Sequence, residues 1–375
     1  MNVIFVWRGP SPYRVDFFNE LGKFCNLTVM FEMKPQDISD KNQSWFNERY
    51  INFKAIYLKG QRVFGSVWFC YDVFNYVKDM KKADILVLGM YSTMTQILLS
   101  LYLRIRRIKY ILNSDGGFIK QERLLCRLFK HFLISGANAY LSSSKGTNKY
   151  LKFYGARGPI GIYPFTSAFE SEIEQNSNVS DKIGLKKKLG IVESIVVLFT
   201  GQFIHRKGID ILLKSCKGLS SDCGVYIVGG YPTAEYIALV DQLKLCNIHF
   251  IPFKTPKELQ DYYGAADIYV LPTREDIWGL VINEAMSYGL PVITTNNCLA
   301  GLELIEDGKN GYIVETDNIE QLSKCINELI LDKDLRIRMG ENNKLKMRGY
   351  TIEKMALSHI DFFKKILKKT GDIDG

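Results

Sequence analysis

Residues 266–291 read A-D-I-Y-V-L-P-T-R-E-D-I-W-G-L-V-I-N-E-A-M-S-Y-G-L-P. The opening apolar run, bounded by Pro272, has the pattern of a strand buried on both faces. The second half, from Gly279, has the pattern of a helix. Glu275 and Asp276 fall in the turn between them, and Glu284 lies inside the helix about two turns from Asp276. Acids near a helix start can serve only as caps that answer its free amides and dipole. They also suit a ligand with hydroxyls at both ends and an anion between them.

Outward from this segment the chain repeats the same strand-then-helix alternation, the signature of parallel α/β domains. Strands are predicted at 2–7, 27–31, 84–88, 108–113 and 139–142, with helices at 15–24, 66–80, 92–105 and 120–134. A second series has strands at 195–200, 225–228, 248–251, 268–271, 291–295 and 312–314. Between the two series, Glu170 to Lys188 is polar and charged and reads as a linker or an exposed entry. A chain of 375 residues exceeds what one core usually supports, so two domains are expected.

Composition narrows the class. Hydrophobic residues make up 47% and charged residues 24%, ordinary for a soluble globular protein. No apolar run reaches the length of a membrane span, and the N-terminus enters a strand without a basic leader. Eight scattered cysteines show neither C-x-x-C pairs nor histidines at metal spacing, so reduced thiols, a cytoplasmic setting and no metal are expected. Charge is uneven. Residues 1–165 contain 24 Lys/Arg and 11 Asp/Glu, a net of +13, and the remainder carries −4. An anionic partner for the first half follows.

In the second series, one strand ends in T-G-Q-F-I-H-R-K-G (200–208). Gly201 and Gln202 turn the chain, Arg206 and Lys207 supply charge, and Gly208 precedes a helix: an anion site. Another glycine turn, V-G-G-Y-P (228–232), follows the next strand. Together these pieces suit a nucleotide-sugar. Cations take the diphosphate, the amides of Gly279, Leu280 and Val281 meet it from the helix start, Glu284 accepts from ribose hydroxyls, and Asp276 accepts from the sugar.

The set G-Q-F-I-H-R-K-G, V-G-G-Y-P, A-A-D-I-Y-V-L-P-T-R-E-D-I-W-G-L-V-I-N-E-A-M-S-Y-G-L-P-V-I and L-I-E-D-G-K-N-G-Y-I-V, in order over residues 190–330, resembles the family 4 retaining glycosyltransferases of the GT-B fold. The resemblance implies two Rossmann-like, doubly wound domains facing across a cleft. An acceptor domain spans 1–165, with the C-terminal helix 353–375 packing back on it. A linker at 166–182 leads to a donor domain at 183–352. It implies Lys207 on the diphosphate, Glu284 on the ribose, Asp276 with Trp278 and Gly279 near the donor sugar, and base recognition around Phe253. It also implies a retaining, metal-independent hexosyl transfer from a UDP- or GDP-sugar, with no separate cofactor. The acceptor that it implies is a lipid-linked or oligosaccharide acceptor in capsule, O-antigen or exopolysaccharide synthesis.

Three departures stand out. The first acid of the family pair is usually Glu and here is Asp276, with Glu275 beside it. The Gly-Arg of the phosphate loop is Gly201-Gln202, and Arg206 is assigned the missing charge. The histidine that many relatives carry in the first half has no counterpart at the matching glycine turn. The only histidine there, His131, falls mid-helix, so Asp115 in the turn N-S-D-G-G (113–117) is assigned to catalysis.

Residues 120–134 place Lys120, Arg123, Arg127 and Lys130 on one face and Leu125, Leu128, Phe129 and Phe132 opposite. Either the apolar face covers the sheet and the basic face is solvated, or the helix docks on the anionic inner face of the plasma membrane, where a lipid-linked acceptor is presented. Arg14 is assigned to the same acceptor or membrane side, against the plain alternative of a surface arginine. Competing functions are a nucleotide-sugar 2-epimerase of the same fold, which needs histidines in the cleft, and a binding subunit that has lost turnover. Nucleic acid is not expected, because no aromatic platforms interleave the basic clusters.

Overall fold

The computed structural model describes residues 1–35, 49–65, 67–177 and 181–371. The chain divides into two compact units, Met1–Thr166 with the C-terminal segment from Ile352, and Ser167–Thr351.

The first unit holds β1 (Asn2–Trp7), β2 (Asn26–Phe31), β3 (Lys54–Tyr57), β4 (Gln61–Phe64), β5 (Val67–Phe69), β6 (Ile85–Leu88), β7 (Ile111–Ser114), β8 (Ala139–Ser142) and β9 (Ile160–Ile162). Seven of these form one parallel sheet in the order β3-β2-β1-β6-β7-β8-β9, while β4 and β5 pair as a separate hairpin. Strand β1 is central and buried from Val3 to Trp7, as its unbroken apolar sequence requires. The helix predicted at 66–80 is broken: β5 and a 3-10 turn, Tyr71–Tyr76, precede a short helix, Val77–Lys82.

The helix Ile352–Gly371 belongs to this unit and packs on the helix Pro12–Leu21. Its buried residues Ile352, Met355, Ala356, His359, Ile360 and Phe363 recur at helical spacing and form one face. Each large apolar side chain so buried contributes roughly 1.5–3 kcal/mol.

The second unit holds β10 (Ile195–Thr200), β11 (Cys223–Val228), β12 (Ile248–Ile251), β13 (Ile268–Leu271), β14 (Val292–Thr295) and β15 (Gly311–Val314). All pair in parallel in the order β12-β11-β10-β13-β14-β15. The order reverses between β10 and β13, the switch point at which doubly wound sheets open a crevice at the strand ends.

The region read as a linker or an exposed entry is largely helical. Glu170–Ser177 is a helix that buries Ile173 and bonds Ser287 through Asn176, at 3.0 Å. The next helix, Lys182–Leu189, is capped by Asp181. Three of its four lysines are spent on partners: Lys182 and Lys186 hold Asp267 at 2.9 and 3.0 Å, and Lys188 holds Asp261 at 2.7 Å. Polarity here marks ion pairs onto the unit's own surface. Residues 178–180 of that segment lie outside the described residues.

Candidate functional site

The second unit brings its predicted cations and acid together at the switch point. Gly208, at φ +70°, has no room for a side chain, because a Cβ there would lie 2.0 Å from the Pro272 carbonyl oxygen. That close approach clamps the turn after β10 onto the turn after β13. The Arg206 carbonyl accepts the Arg274 amide at 2.8 Å and the Thr273 hydroxyl at 2.9 Å. Lys207 Nζ consequently lies 2.5 Å from Asp276 Oδ2, and Arg206 Nη1 lies 3.7 Å from Asp276 Oδ1. Asp276 is fixed from its other side, its amide donating to the Asn297 carbonyl at 2.8 Å and its carbonyl accepting the Leu299 amide at 3.1 Å.

Glycines decide the neighbouring geometry. Gly229 presses on the turn after β10, where a Cβ would meet the Gly201 carbonyl oxygen at 2.2 Å. Gly279 caps the helix Leu280–Ser287 at φ +96°. By position the amides of Leu280 and Val281 precede the first intrahelical acceptor. Glu284 stands one turn further on and accepts the Tyr263 hydroxyl at 2.8 Å. Tyr263 in turn meets Thr200 at 2.9 Å, and Thr200 meets Tyr269 at 2.8 Å, a relay that fixes the carboxylate from inside the core. Burial, reinforced by Glu172, pushes the Glu284 carboxyl above its ordinary range against the pull of the Tyr263 bond.

The remaining assignments sort differently. Gln202 and Phe253 are exposed, and Phe253 follows β12, which β11 separates from β10. Trp278, expected near the donor sugar, points into the protein. It is buried and its indole N–H donates to Asn283 at 3.0 Å, which makes it the turn's interior support. Glu275 holds Arg206 through its carbonyl at 2.6 Å, while Asp276 is the acid beside Lys207. Sequence reading gave no role to Arg274, which locks the same turn by a two-pronged bond to Asp210 at 2.8 Å and by a bond to Asp317.

In the first unit, Asp115 follows β7. Its Oδ1 accepts Tyr163 at 2.7 Å and Asn113 at 2.9 Å, and its Oδ2 pairs with Arg14. Arg14 is a correction: it is 1% exposed, packed against Trp7 and Phe165 with its carbon 4.4 and 4.7 Å from the ring centres. Its charge is committed to Asp115, so it is neither a surface residue nor available to an acceptor or membrane. Burial opposes ionisation of Asp115, but Arg14 and the Tyr163 and Asn113 bonds hold its carboxyl below the ordinary range. A histidine does enter this unit, from the C-terminal helix. His359 lies 4.5 Å from Tyr163 and 4.7 Å from Phe17 between ring centres, and burial drives its pKa to about 3.

Of the two readings of the helix Leu124–Ile134, the structure does not bear out the one in which its apolar face covers the sheet. Only Leu133 and Ile134 of it are buried, and Leu125, Leu128, Phe129 and Phe132 are exposed. The cations turn back toward the protein: Lys130 pairs with Glu122 at 2.7 Å and Arg127 lies over Phe153. Arg123 stands at the helix start, and Lys120 lies exposed in the strand-free segment before it.

Residues 181–346 match the family model described as glycosyl transferases group 1. An uncharacterised glycosyltransferase of Haemophilus influenzae is 33% identical over 176 residues, 45% of this chain and 49% of that protein. The lipopolysaccharide glucosyltransferase WaaG of Escherichia coli is 26% identical over 189 residues, 49% of each chain. The chain thus spans about half the length of the curated relatives it matches. Among solved structures, Anabaena HepE in complex with UDP superposes with a TM-score of 0.78 at 16% identity, over 97% of this chain and 100% of that one. WaaG superposes at 0.68 with 17% identity, over 96% and 99%. The two Rossmann-like halves are those of the GT-B fold. Among the described residues no helix is long and apolar enough to cross a membrane, and no cluster of three metal-ligating side chains occurs.

Proposed function

We propose, from the match of residues 181–346 to the family model described as glycosyl transferases group 1, that the chain is a retaining, metal-independent glycosyltransferase. It would move a hexosyl group from a nucleotide-diphosphate sugar to a lipid-linked or oligosaccharide acceptor of a surface polysaccharide. The observation that carries this reading is the Lys207–Asp276 pair, 2.5 Å apart at the switch point beside the Gly279 helix start.

In the proposed complex the donor diphosphate takes over Lys207, with Arg206 and the amides of Leu280 and Val281 completing its neutralisation. Asp276, relieved of part of its ion pair, accepts from sugar hydroxyls. Glu284, fixed by Tyr263, accepts from the ribose. The bond from the anomeric carbon to the β-phosphate oxygen breaks as the bond to the acceptor oxygen forms on the same face. The acceptor hydroxyl proton passes to the departing phosphate. No metal or cofactor is invoked, because the cations and amides face the charge that develops. In the first unit, Asp115 is proposed to act in catalysis; its ionised state suits it to orient a hydroxyl or oppose positive charge.

UDP or GDP is the proposed leaving group; the HepE complex containing UDP supports the former. The test is the melting temperature with UDP, GDP, ADP, CMP and dTDP in turn, with Lys207→Ala as control. At about 100 times the dissociation constant, linkage supplies roughly 2.7 kcal/mol, a shift of several degrees. A shift with one nucleotide that the variant abolishes is expected. No shift with any, or an equal shift in the variant, overturns the phosphate assignment.

A further inference from the structure

Arg274 ties together the turns at the ends of β10, β13, β14 and β15. It lies in the turn after β13, and its side chain reaches to both sides of that turn. Toward β10, its Nη1 donates to the His205 carbonyl at 2.6 Å, and Nη1 and Nη2 together grip the two oxygens of Asp210 at 2.8 Å each. Toward β15, its Nε meets Asp317 Oδ1 at 2.8 Å. The main chain adds two ties: the Arg274 amide donates to the Arg206 carbonyl at 2.8 Å, and the Arg274 carbonyl accepts Asn297 Nδ2, from the turn after β14, at 3.1 Å. Asn296 of that turn accepts the Thr316 hydroxyl, beyond β15, at 2.8 Å. A forked guanidinium on a carboxylate is among the stronger and more directional side-chain bonds. Asp276, two residues further on, is held differently. Its carboxylate is paired with Lys207 and Arg206, the cations to which the donor diphosphate is assigned.

We infer that Arg274 is a positioning residue that keeps Asp276 aimed once Lys207 has turned to the diphosphate. The inference rests on the donor-site reading proposed above and deepens it. Without ligand, Asp276 is restrained twice, by its ion pair and by its main chain. With the diphosphate bound, Lys207 is shared, and the main chain of the turn carries the restraint. That restraint is the Asp276 amide on the Asn297 carbonyl at 2.8 Å, the Leu299 amide on the Asp276 carbonyl at 3.1 Å, and the Arg274 clamp two residues earlier. A carboxylate that accepts from sugar hydroxyls needs this second restraint most in the loaded state, because a misplacement of about 1 Å costs on the order of a hundredfold in rate. The clamp works by direction as well as charge. A lysine in its place keeps the cation but cannot span His205, Asp210 and Asp317 at once. The two carboxylates come from opposite flanks, so loss of either leaves the turn tethered on one side.

The test uses the full chain labelled with fluorotryptophan. Trp278, two residues beyond Asp276 and bonded to Asn283, reports on the turn, and Trp278→Phe identifies its fluorine signal. In wild type a single signal is expected with and without saturating UDP or GDP. In Arg274→Gln it should stay single without nucleotide, while the Lys207–Asp276 pair holds, and should split or broaden once nucleotide is bound. Calorimetric affinity for the nucleotide should remain within about threefold of wild type, because the diphosphate meets Lys207 and the helix amides. The kcat with the corresponding nucleotide-sugar should fall by about ten- to a hundredfold. Arg274→Lys should resemble Arg274→Gln. Neither should lower the rate further in an Asp276→Asn background, where the group to be aimed is gone. A signal that stays single with nucleotide bound overturns the inference. So does a signal already split without nucleotide, which makes Arg274 a general prop of the fold, and so do losses that multiply with Asp276→Asn. A wild-type chain that binds neither UDP nor GDP overturns the donor-site reading itself, and calorimetry on the wild type tells that outcome apart from the others.

Discussion

Lys207 and Asp276, sixty-nine residues apart in sequence, form an ion pair at 2.5 Å with both side chains largely withdrawn from water. Each is the other's partner until a ligand arrives, so the two deletions should not behave alike. Lys207→Ala removes a charge-assisted bond to the diphosphate and should weaken nucleotide binding by roughly ten- to a hundredfold. Asp276→Asn keeps the shape and should lower kcat far more than nucleotide affinity. Isothermal titration with the nucleoside diphosphate, beside steady-state rates, separates the two; equal losses in both would return Asp276 to a purely structural role.

Gly208 makes the pair possible. Gly208→Ala should cost several kcal/mol, because strain at positive φ of roughly 1–2 kcal/mol adds to a clash with the Pro272 carbonyl. Gly190, at φ +69° with nothing within 4 Å of a built Cβ, is the matched control, and its alanine variant should lose only the strain. Urea midpoints of the two variants measure the difference.

Glu284 should show a conflict between binding and stability. Its carboxyl is raised in the folded state, so the stability it contributes is present below the unfolded value, near pH 4.3, and is lost as pH rises through the folded value. At neutral pH its charge is held at a cost. Glu284→Gln should therefore raise the urea midpoint at pH 7, with the gap closing toward pH 4, while raising the donor KM. A variant less stable than wild type at pH 7 would contradict this account.

His359 predicts an acid limb. Its folded pKa is about 3, against an ordinary value near 6.5, so the unfolded chain takes up the proton first. The stability it contributes is intact above about pH 6.5 and is lost progressively as pH falls toward 3, roughly 2–3 kcal/mol of it by pH 4.5. In His359→Leu that part of the pH dependence should vanish, leaving a constant offset from the lost bond to the Met355 carbonyl. Urea unfolding of both proteins at half-unit pH steps reads it directly.

The buried strands were legible because composition alone marks them: 2–7, 139–142, 195–200, 248–251 and 268–271 coincide with β1, β8, β10, β12 and β13. Strands β3 and β9, of four and three residues, carry too little pattern to register. The donor motif set Lys207 and Asp276 in the turns that follow two neighbouring parallel strands, and these two side chains do meet. What the sequence hid was orientation. Periodicity divided the helix Leu124–Ile134 into two faces without saying which one met the protein. Nor does a lone arginine announce burial: the enclosure of Arg14 needs Trp7, Phe165 and Asp115 from three distant segments. His359 joined its neighbours from the far end of the chain by the same kind of long-range contact.

The discontinuity of the first unit has a consequence for how the chain is made. The helix Ile352–Gly371 that covers Phe17, Tyr163 and Phe5 is synthesised after the whole of Ser167–Thr351, an interval of 185 residues. At about 5–20 residues per second, the first sheet waits on the order of ten to forty seconds with that aromatic face open. The second unit, contiguous in sequence, has every strand it needs before the first has its cover. Birth order and completion order are therefore opposite, and the newborn N-terminal half is the stage at which this protein depends most on chaperones.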